Sequence, residues 1–242
     1  MRKAILFFIL TTGFCSLAFA EHEAWLSVGH ERAFFMDTYR ISGETVDTNI
    51  SSSGVNLSAY RFFGDTIGMF AHSSFLFPQR MWEWSDDGVH RLDLSDAALN
   101  MQWGTLIGIT FRFSVLSDDL HFYTGVGLNI FFSWLVAGVD DPVLGSTFSG
   151  DMFSTSFGIG TDLGLKFDIT DRFFIKLGSI VTFDFLRFSN LDVYDGREHI
   201  ENISGRDREF FMFGVRPYIA GGVNLHWRTV DGRQRIATGR SN

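Results

Sequence analysis

The fold is decided by LHFYTGVGLNIFFSW at residues 120–134 and TSFGIGTDLGLKFDI at residues 155–169, two runs of strict alternation. In both runs every second residue is mostly large and apolar, and the residues between are mostly small or polar. Successive side chains of a β-strand point to opposite faces, so each run predicts a strand with one apolar and one polar face. Each run spans 15 residues, whereas most strands have about 5–6. A strand that crosses a bilayer at a tilt needs roughly 9–11 residues in the hydrocarbon, so the length favours a transmembrane β-strand.

The same alternation recurs along the chain and predicts eight strands, at residues 24–35, 55–63, 67–77, 98–115, 120–134, 155–169, 173–188 and 210–227. Four longer polar connections are expected at 37–53, 78–97, 135–152 and 190–208. They alternate with tight turns expected at 64–66, 116–119 and 170–171. Outer-membrane barrels have short periplasmic turns and longer outer loops, so this order favours an up-and-down barrel with four extracellular loops.

Side-chain volume decides which face of these strands points outward. The interior of an eight-stranded barrel is only wide enough to be filled by side chains. The apolar faces are rich in Phe, Leu and Ile and would overfill that space, whereas the polar faces are rich in Gly, Ser and Thr. The sequence therefore predicts an all-β, eight-stranded antiparallel up-and-down transmembrane β-barrel over residues 21–227. A soluble lipocalin-like or sandwich protein with a Phe core is the alternative.

Two strands depart from the regular pattern. In the first strand the apolar parity changes after Glu31, which predicts a β-bulge near that residue. In the last strand Pro217 cannot donate a hydrogen bond, which predicts a local bulge or a missing bond in the ladder. Trp25, Trp134 and Trp227 lie near predicted strand ends, where an interfacial aromatic girdle is expected.

The N-terminus has the pattern of a secretory signal peptide, residues 1–20. Arg2 and Lys3 precede an apolar segment at 4–14, and a small-x-small motif ends at Ala20, after which we expect cleavage. Cys15 is the only cysteine and would leave with this segment. Lipidation of Cys15 is the alternative, but the residue before it is large.

Composition narrows the class of partner. The chain has 20 Lys and Arg against 28 Asp and Glu, a net charge of −8, which disfavours nucleic acid as a partner. No segment approaches the roughly 18 uninterrupted apolar residues of a membrane helix. Residues 228–242 are polar and aperiodic, and we expect a mobile tail there.

The signal peptide, eight alternating strands, alternating connection lengths and inward charges resemble the small bacterial outer-membrane barrels typified by OmpA, OmpX and OmpW. This resemblance implies a location in the outer membrane of a Gram-negative-type envelope, with outer-membrane lipids around the barrel. It also implies recognition of the last strand by the barrel assembly machinery, for which Val223, Leu225 and Trp227 are similar to the terminal signal of the family.

Charged residues on the predicted inward face carry both signs: Glu31, Arg112, Asp162, Lys166, Asp168, Lys176, Asp184 and Arg216. Buried charges persist when they are paired, so a salt-bridge network that plugs the lumen is favoured. A selectivity or proton-relay path is the alternative. The turn at 170–171 allows either Lys166 opposite Lys176 or Asp168 opposite Arg172, and the sequence does not choose between them.

Three functions are compatible with these features. The first is a rigid membrane anchor that displays its loops to extracellular protein partners. The second is an OmpW-like passive conduit for small hydrophobic molecules, along the inward apolar residues Phe70, Leu76, Leu106, Phe131, Ile180 and Leu186. A wide aqueous porin is disfavoured, because open channels need about 16 strands.

The third function, a lipid A-modifying enzyme, rests on His72-Ser73-Ser74. It is disfavoured because adjacent strand residues point to opposite faces and cannot pair as nucleophile and base. The histidines show no metal-ligand spacing, and we expect neither a metal nor a cofactor. As a test of the two faces, Ile159→Arg on the outer face should destabilise the barrel, and Gly158→Ser on the inner face should be milder.

Overall fold

The computed structural model describes residues 22–41, 44–85, 88–92, 100–115, 117–141, 146–195, 198–206, 208–230 and 233–237. The predicted signal peptide lies outside these residues. The described residues form eleven strands: β1 (His22–Ile41), β2 (Glu44–Phe62), β3 (Ile67–Ser85), β4 (Gly88–Leu92), β5 (Met101–Val115), β6 (Ser117–Asp141), β7 (Ser146–Asp168), β8 (Phe173–Asp195), β9 (Glu198–Arg206), β10 (Arg208–Val230) and β11 (Arg233–Ala237). Within this part of the chain, no helix is long and apolar enough to cross a membrane.

Eight of these strands close into an antiparallel barrel, in the order β1, β2, β3, β5, β6, β7, β8 and β10, and β10 pairs with β1 to complete the ring. The three short strands pair only at the margins, β4 with β3, β9 with β8 and β11 with β10. The predicted fold class is confirmed.

The two ends of the barrel differ. At one end, called the turn end, tight connections join β2 to β3, β5 to β6 and β7 to β8, and β1 begins there. At the other end, called the arm end, the pairs β1–β2, β3–β4, β6–β7 and β8–β9 continue as hairpin arms. The four longer connections predicted as loops, at 37–53, 78–97, 135–152 and 190–208, lie in strands wherever the structure describes them, so this interpretation is wrong there. For example, β1 ends at Ile41 and β2 begins at Glu44, because ladder pairing satisfies backbone groups even where neither face is apolar.

The tight turns have the expected chemistry. Gly64 has φ 98°, which only glycine adopts readily, and this confirms the turn at 64–66. In the β7–β8 turn, the Thr170 hydroxyl accepts hydrogen bonds from the backbone N–H groups of Arg172 and Phe173. Of the two registers left open for this hairpin, the structure has Lys166 opposite Lys176.

The apolar faces point outward, as predicted. Leu128 and Val126 of β6 are 69% and 58% exposed, whereas Asn129, the residue after Leu128, points inward and is buried. The same contrast recurs around the ring. Only lipid or detergent can cover an apolar surface of this extent.

The predicted bulge near Glu31 is wrong. The register of β1 with β2 is continuous there, and Ala33 and Phe35 point inward with Glu31. Apolar parity changes because the interior itself becomes apolar toward the arm end. The ladder between β1 and β10 passes from the Glu31–Tyr218 pair to Phe34–Val215 without intermediate pairs, which confirms the break expected at Pro217.

The C-terminal segment is more regular than predicted. Residues 233–237 form β11, which pairs with β10 from His226 to Val230. In these residues a hairpin continues the last barrel strand, and the mobility expected for residues 228–242 stays a prediction.

Candidate functional site: the barrel interior

The interior at the turn end is built around Trp25. Its side chain is 0% exposed and packs against Tyr60, Phe62, Tyr123 and Phe174, with ring centroids 4.5–6.2 Å away. The assignment of Trp25 to an interfacial girdle is wrong. Its parity on β1 is that of the inward Ser27, so the indole fills the lumen.

Two ion pairs close this end. Arg112 pairs with Glu23, and its guanidinium lies 4.2 Å from the centre of the Phe62 ring. Lys166 Nζ lies 2.5 Å from the carboxylate of Asp168. Stacking over aromatic rings and pairing with carboxylates together offset the cost of burying these cations.

A layer of three tyrosines lies deeper in the barrel. Asp162 accepts hydrogen bonds from the hydroxyls of Tyr60 and Tyr218, the latter at 2.8 Å, and the Tyr123 and Tyr218 hydroxyls are 2.6 Å apart. Lys176 is fully buried beside them, with Nζ 4.1 Å from the centre of the Tyr60 ring. Its ammonium also donates to Ser58 Oγ at 2.9 Å.

The next layer contains a buried carboxylate that binds several donors. Glu31 lies 3.2 Å from His72 Nε2 and accepts from Ser74 Oγ at 2.8 Å. Arg216 Nε is 3.7 Å from Glu31 Oε1, and Arg216 also donates to Ser74 at 3.2 Å. The side-chain oxygen of Asn129 accepts a hydrogen bond from the same guanidinium, and its amide group donates to Asp184 at 2.8 Å. A single arginine thus lies in one layer with the buried carboxylates of Glu31 and Asp184.

An apolar cluster fills the interior toward the arm end. Phe35 and Phe131 pack with ring centroids 4.8 Å apart, and both are buried. The cluster also contains Ala33, Ile50, Leu76, Met81, Leu135, Phe210 and Met212. Above it, Arg187 pairs with Asp37 and stacks over the Phe210 ring at 4.4 Å.

The structure brings the sequence-predicted charges into three groups. Arg112, Lys166 and Asp168 lie at the turn end, Asp162 and Lys176 in the tyrosine layer, and Glu31, Asp184 and Arg216 in the layer above. All are buried except Asp168, which is partly exposed. Each of the eight side chains forms at least one hydrogen bond with another side chain. For example, Arg112 bonds to Glu23, Lys166 to Asp168, Asp184 to Ser156, and Arg216 to Ser74.

Sequence reasoning assigned no interior role to the three tyrosines or to the pair of Asp37 with Arg187, and it considered His72 only as a catalytic candidate. All of them fall on the strand face that carries the small and polar residues, and this alternation is the signal by which the sequence could have placed them inside. Asp37 and Arg187 escaped notice because they were placed in a loop or at a strand end.

The six apolar residues of the hypothetical solute path do not form one path. Phe70, Leu106 and Ile180 belong to the cluster around Trp25. Leu76 and Phe131 belong to the cluster near the arm end, and Leu186 is only partly buried and belongs to neither. The layer of Glu31 and Arg216 lies between the two clusters.

Of the other predicted aromatics, Trp134 points outward with 40% of its surface exposed, and its indole N–H donates to Asp151 at 2.6 Å. The side chain of Trp227 lies outside the described residues. Phe75, Trp103 and Phe132 form an unpredicted outward stack across three strands, with centroids 6.1 and 5.3 Å apart.

The geometry around His72 does not resemble a nucleophile–base pair. His72 and Ser74 both contact Glu31 in the interior, whereas Ser73 points outward and accepts from the Trp103 indole at 2.8 Å. In the part of the chain that the structure describes, no group of three His, Cys, Asp or Glu residues could hold a metal ion.

Comparison with known proteins identifies solved structures but no sequence relatives. No protein-family model and no curated protein matches the chain. The outer membrane protein OprG from Pseudomonas aeruginosa is similar in structure, with a TM-score of 0.57, 11% identity, and coverage of 84% of this chain and 95% of OprG.

Two further structures are similar at lower scores. Ail, the attachment invasion locus protein of Yersinia pestis, has a TM-score of 0.42 and 12% identity over 85% of this chain and 99% of Ail. Neisserial surface protein A has a TM-score of 0.41 and 11% identity over 81% of this chain and 95% of its own. By the closed barrel and the likeness to OprG, the chain has the fold of the small eight-stranded outer-membrane β-barrels.

Proposed function

We propose that the protein is an integral outer-membrane barrel with a filled interior, which acts as a rigid anchor for the hairpin arms at its arm end. The observation that carries this proposal is the stack of buried, paired side chains across the lumen. Trp25, Tyr60, Lys176, Arg216 and Phe35 are each at most 2% exposed, and together they cross the barrel from the turn end to the arm end.

The location and orientation follow from the same features. The outward apolar surface requires lipid, and proteins with this fold include OprG, whose name places it in the outer membrane. Short turns face the periplasm in such barrels. The arms therefore project outside the cell, where extracellular proteins are the expected partners. The lumen charges serve as a structural plug, and we propose no catalytic role for His72 or Ser74.

The alternative is a conduit for small hydrophobic molecules. The apolar cluster of Phe35, Leu76 and Phe131 near the arm end favours it, because such a molecule could enter there. The buried charges of Glu31 and Arg216 oppose further passage, since an apolar solute would have to displace hydrogen-bonded groups. These contacts fit an apolar pocket at the arm end that is closed by the layer of Glu31 and Arg216 better than they fit a continuous path.

Liposome experiments separate the two functions. The refolded barrel would be reconstituted and tested for uptake of a sugar and of a small hydrophobic solute, with folding checked by heat-shifted gel mobility. We expect neither solute to enter above the rate of protein-free liposomes. Uptake of the hydrophobic solute alone would favour the conduit, and uptake of the sugar would contradict the filled lumen.

A matched pair of variants tests whether the interior aromatics form the barrier. Phe35 points inward and is 1% exposed, whereas the adjacent Phe34 points outward. Because the layer of Glu31 and Arg216 and the cluster around Trp25 still fill the lumen below Phe35, neither Phe35→Ala nor Phe34→Ala should raise uptake or conductance. An increase with Phe35→Ala alone would show that the Phe35 layer is the barrier and would contradict a lumen that is filled along its whole length.

A further inference from the structure

Two arginines on the outer face of the barrel differ from every charge inside it. Arg32 on β1 and Arg80 on β3 are both exposed. Among the described residues, neither has a hydrogen-bond or ion-pair partner through its side chain. All eight predicted lumen charges, by contrast, have partners. The barrel thus pairs its interior cations and leaves two outer ones unpaired.

Arg32 lies within the apolar outer band and not at its edge. On the outer face of β1, Leu26 and Val28 lie below it, and Phe34 and Met36 lie above it, all of them 43–56% exposed. With a rise of about 3.4 Å per residue and a tilt of about 40°, Arg32 lies about 10 Å below the level of Met36. A guanidinium at this depth is unfavourable in lipid unless an anion accompanies it or it extends to the interface.

Arg80 lies at the upper edge of the same band. The outer face of β3 is apolar up to Phe77 and then becomes polar at Gln79 and Arg80, where the register with β2 shifts. The outward stack of Phe75 with Trp103 lies just below. Such aromatic rings are typical of the boundary between hydrocarbon and headgroups, so Arg80 is at headgroup level.

Strand β2 brings these side chains together. Ser53 of β2 pairs with Arg32, and Ser51 pairs with Arg80. With strands about 4.8 Å apart, the two arginine Cα atoms lie about 12 Å from each other, so the two long side chains can converge above β2. His30 lies beside them, with Nε2 3.5 Å from Ser53 Oγ. These five residues form the outer cationic patch.

We propose that the outer cationic patch binds the phosphate of a membrane lipid in the leaflet at the arm end. Guanidinium groups bind phosphate with two parallel N–H donors, and serine hydroxyls add further donors. The patch contains no carboxylate that would repel an anion. The exposed Phe34 and Val55 beside it provide apolar surface for the acyl chains. The inference goes beyond the proposed anchor function and depends only on its membrane placement.

Two other occupants fit less well. A second copy of the chain in a two-fold dimer would place the same patch against itself and bring arginine against arginine. A free phosphate ion would have to leave water for an apolar wall, whereas a lipid phosphate is already at this boundary. The position of the patch, from the band edge down to Arg32, therefore favours a lipid.

Lipid retention tests the proposal. The folded chain in dodecyl maltoside micelles would be mixed with phosphatidylglycerol, with lipid A, or with diacylglycerol, which lacks phosphate, and retained lipid would be counted by native mass spectrometry. We expect the two phosphorylated lipids to be retained and diacylglycerol not to be. Arg32→Gln combined with Arg80→Gln should lower retention at least fivefold. Arg172→Gln, an exposed arginine at the turn end, should match the wild type.

Three outcomes would overturn the proposal: equal retention by the double glutamine variant, equal competition by inorganic phosphate, or a dimer in light scattering that the double variant abolishes. Heat-shifted gel mobility verifies folding of each variant. If the glutamine variant does not fold, Arg32→Lys with Arg80→Lys keeps the charges, and it should retain lipid at a level below the wild type. A barrel that leaks solutes would contradict the filled lumen but would leave lipid retention unchanged, so the two proposals fail separately.

Discussion

Replacing Arg216 by methionine tests whether the buried charges hold the barrel together. The guanidinium is 1% exposed and lies 3.7 Å from Glu31. It also donates hydrogen bonds to Ser74 and Asn129 at 3.2 and 3.5 Å. Methionine has a similar length without the charge, so the substitution leaves Glu31 and Asp184 buried with no cation in their layer.

The expected magnitude follows from these contacts. Removing one partner of a buried ion pair costs about 3–5 kcal/mol, and we expect a loss of about 4 kcal/mol in the free energy of unfolding. Glu31→Gln removes the charge but keeps an acceptor for Ser74, which suggests about 2 kcal/mol. If the two charges interact, the double variant should lose about 4 kcal/mol and not the additive sum of about 6 kcal/mol.

Urea unfolding in lipid vesicles measures these quantities, followed by tryptophan fluorescence and heat-shifted gel mobility. Arg172→Met, at an exposed position in the β7–β8 turn, is the control and should stay within about 0.5 kcal/mol of the wild type. Additivity of the Arg216 and Glu31 substitutions within about 0.5 kcal/mol would refute the reasoning, because it would show that the 3.7 Å approach carries no coupling.

The same unfolding assay checks three further expectations. Ile159→Arg puts a charge on the outer face at a residue 49% exposed and should cost about 2–4 kcal/mol near the midplane, whereas Ile159→Leu should be near neutral. Gly158→Ser should prevent the folded gel band, because a Cβ there would lie 2.0 Å from the Phe183 carbonyl oxygen; this expectation replaces the milder effect that the sequence alone predicts. Asp162→Asn removes the charged acceptor of Tyr218 and should cost about 2 kcal/mol; an unchanged midpoint would contradict this.

The barrel could be predicted because lipid imposes a period of two on every strand that it contacts. The alternation at residues 120–134 appears in the structure as outward Leu128 and inward Asn129. The hairpin arms could not be predicted this way. Beyond the lipid, both faces of a strand can be polar, so the alternation vanishes although the ladder continues to Ile41 in β1.

Apolar residues inside the barrel caused the other errors. Trp25 lies near a predicted strand end, which suggests the interface, yet it falls on the same face of β1 as Ser27 and Glu31, which indicates the interior, where it is buried. A change of apolar parity at Ala33 was interpreted as a bulge, when the backbone is regular and the lumen becomes apolar. Composition cannot distinguish a lipid-facing ring from one that fills the lumen, but parity along a regular strand can.

The partners of the interior charges depend on contacts across the lumen, which sequence spacing does not determine. Asp162 and Tyr60 are hydrogen-bonded although 102 positions separate them. Their meeting depends on the stagger of the strands around the whole ring. The sequence thus predicted eight of the charges that face inward, though not Asp37 or Arg187, and only the closed barrel groups them.

The distribution of paired and unpaired charges indicates where this barrel can act on other molecules. Inside, apolar clusters lie on both sides of the Glu31 and Arg216 layer, so an ion would meet apolar walls and an apolar solute would meet charges. Each kind of solute therefore finds a barrier at some depth. Outside, Arg32 and Arg80 have no partner among the described residues. These two cations lie on the wall of the barrel, so lipid retention by the outer cationic patch is a more direct test of function than conductance through the lumen.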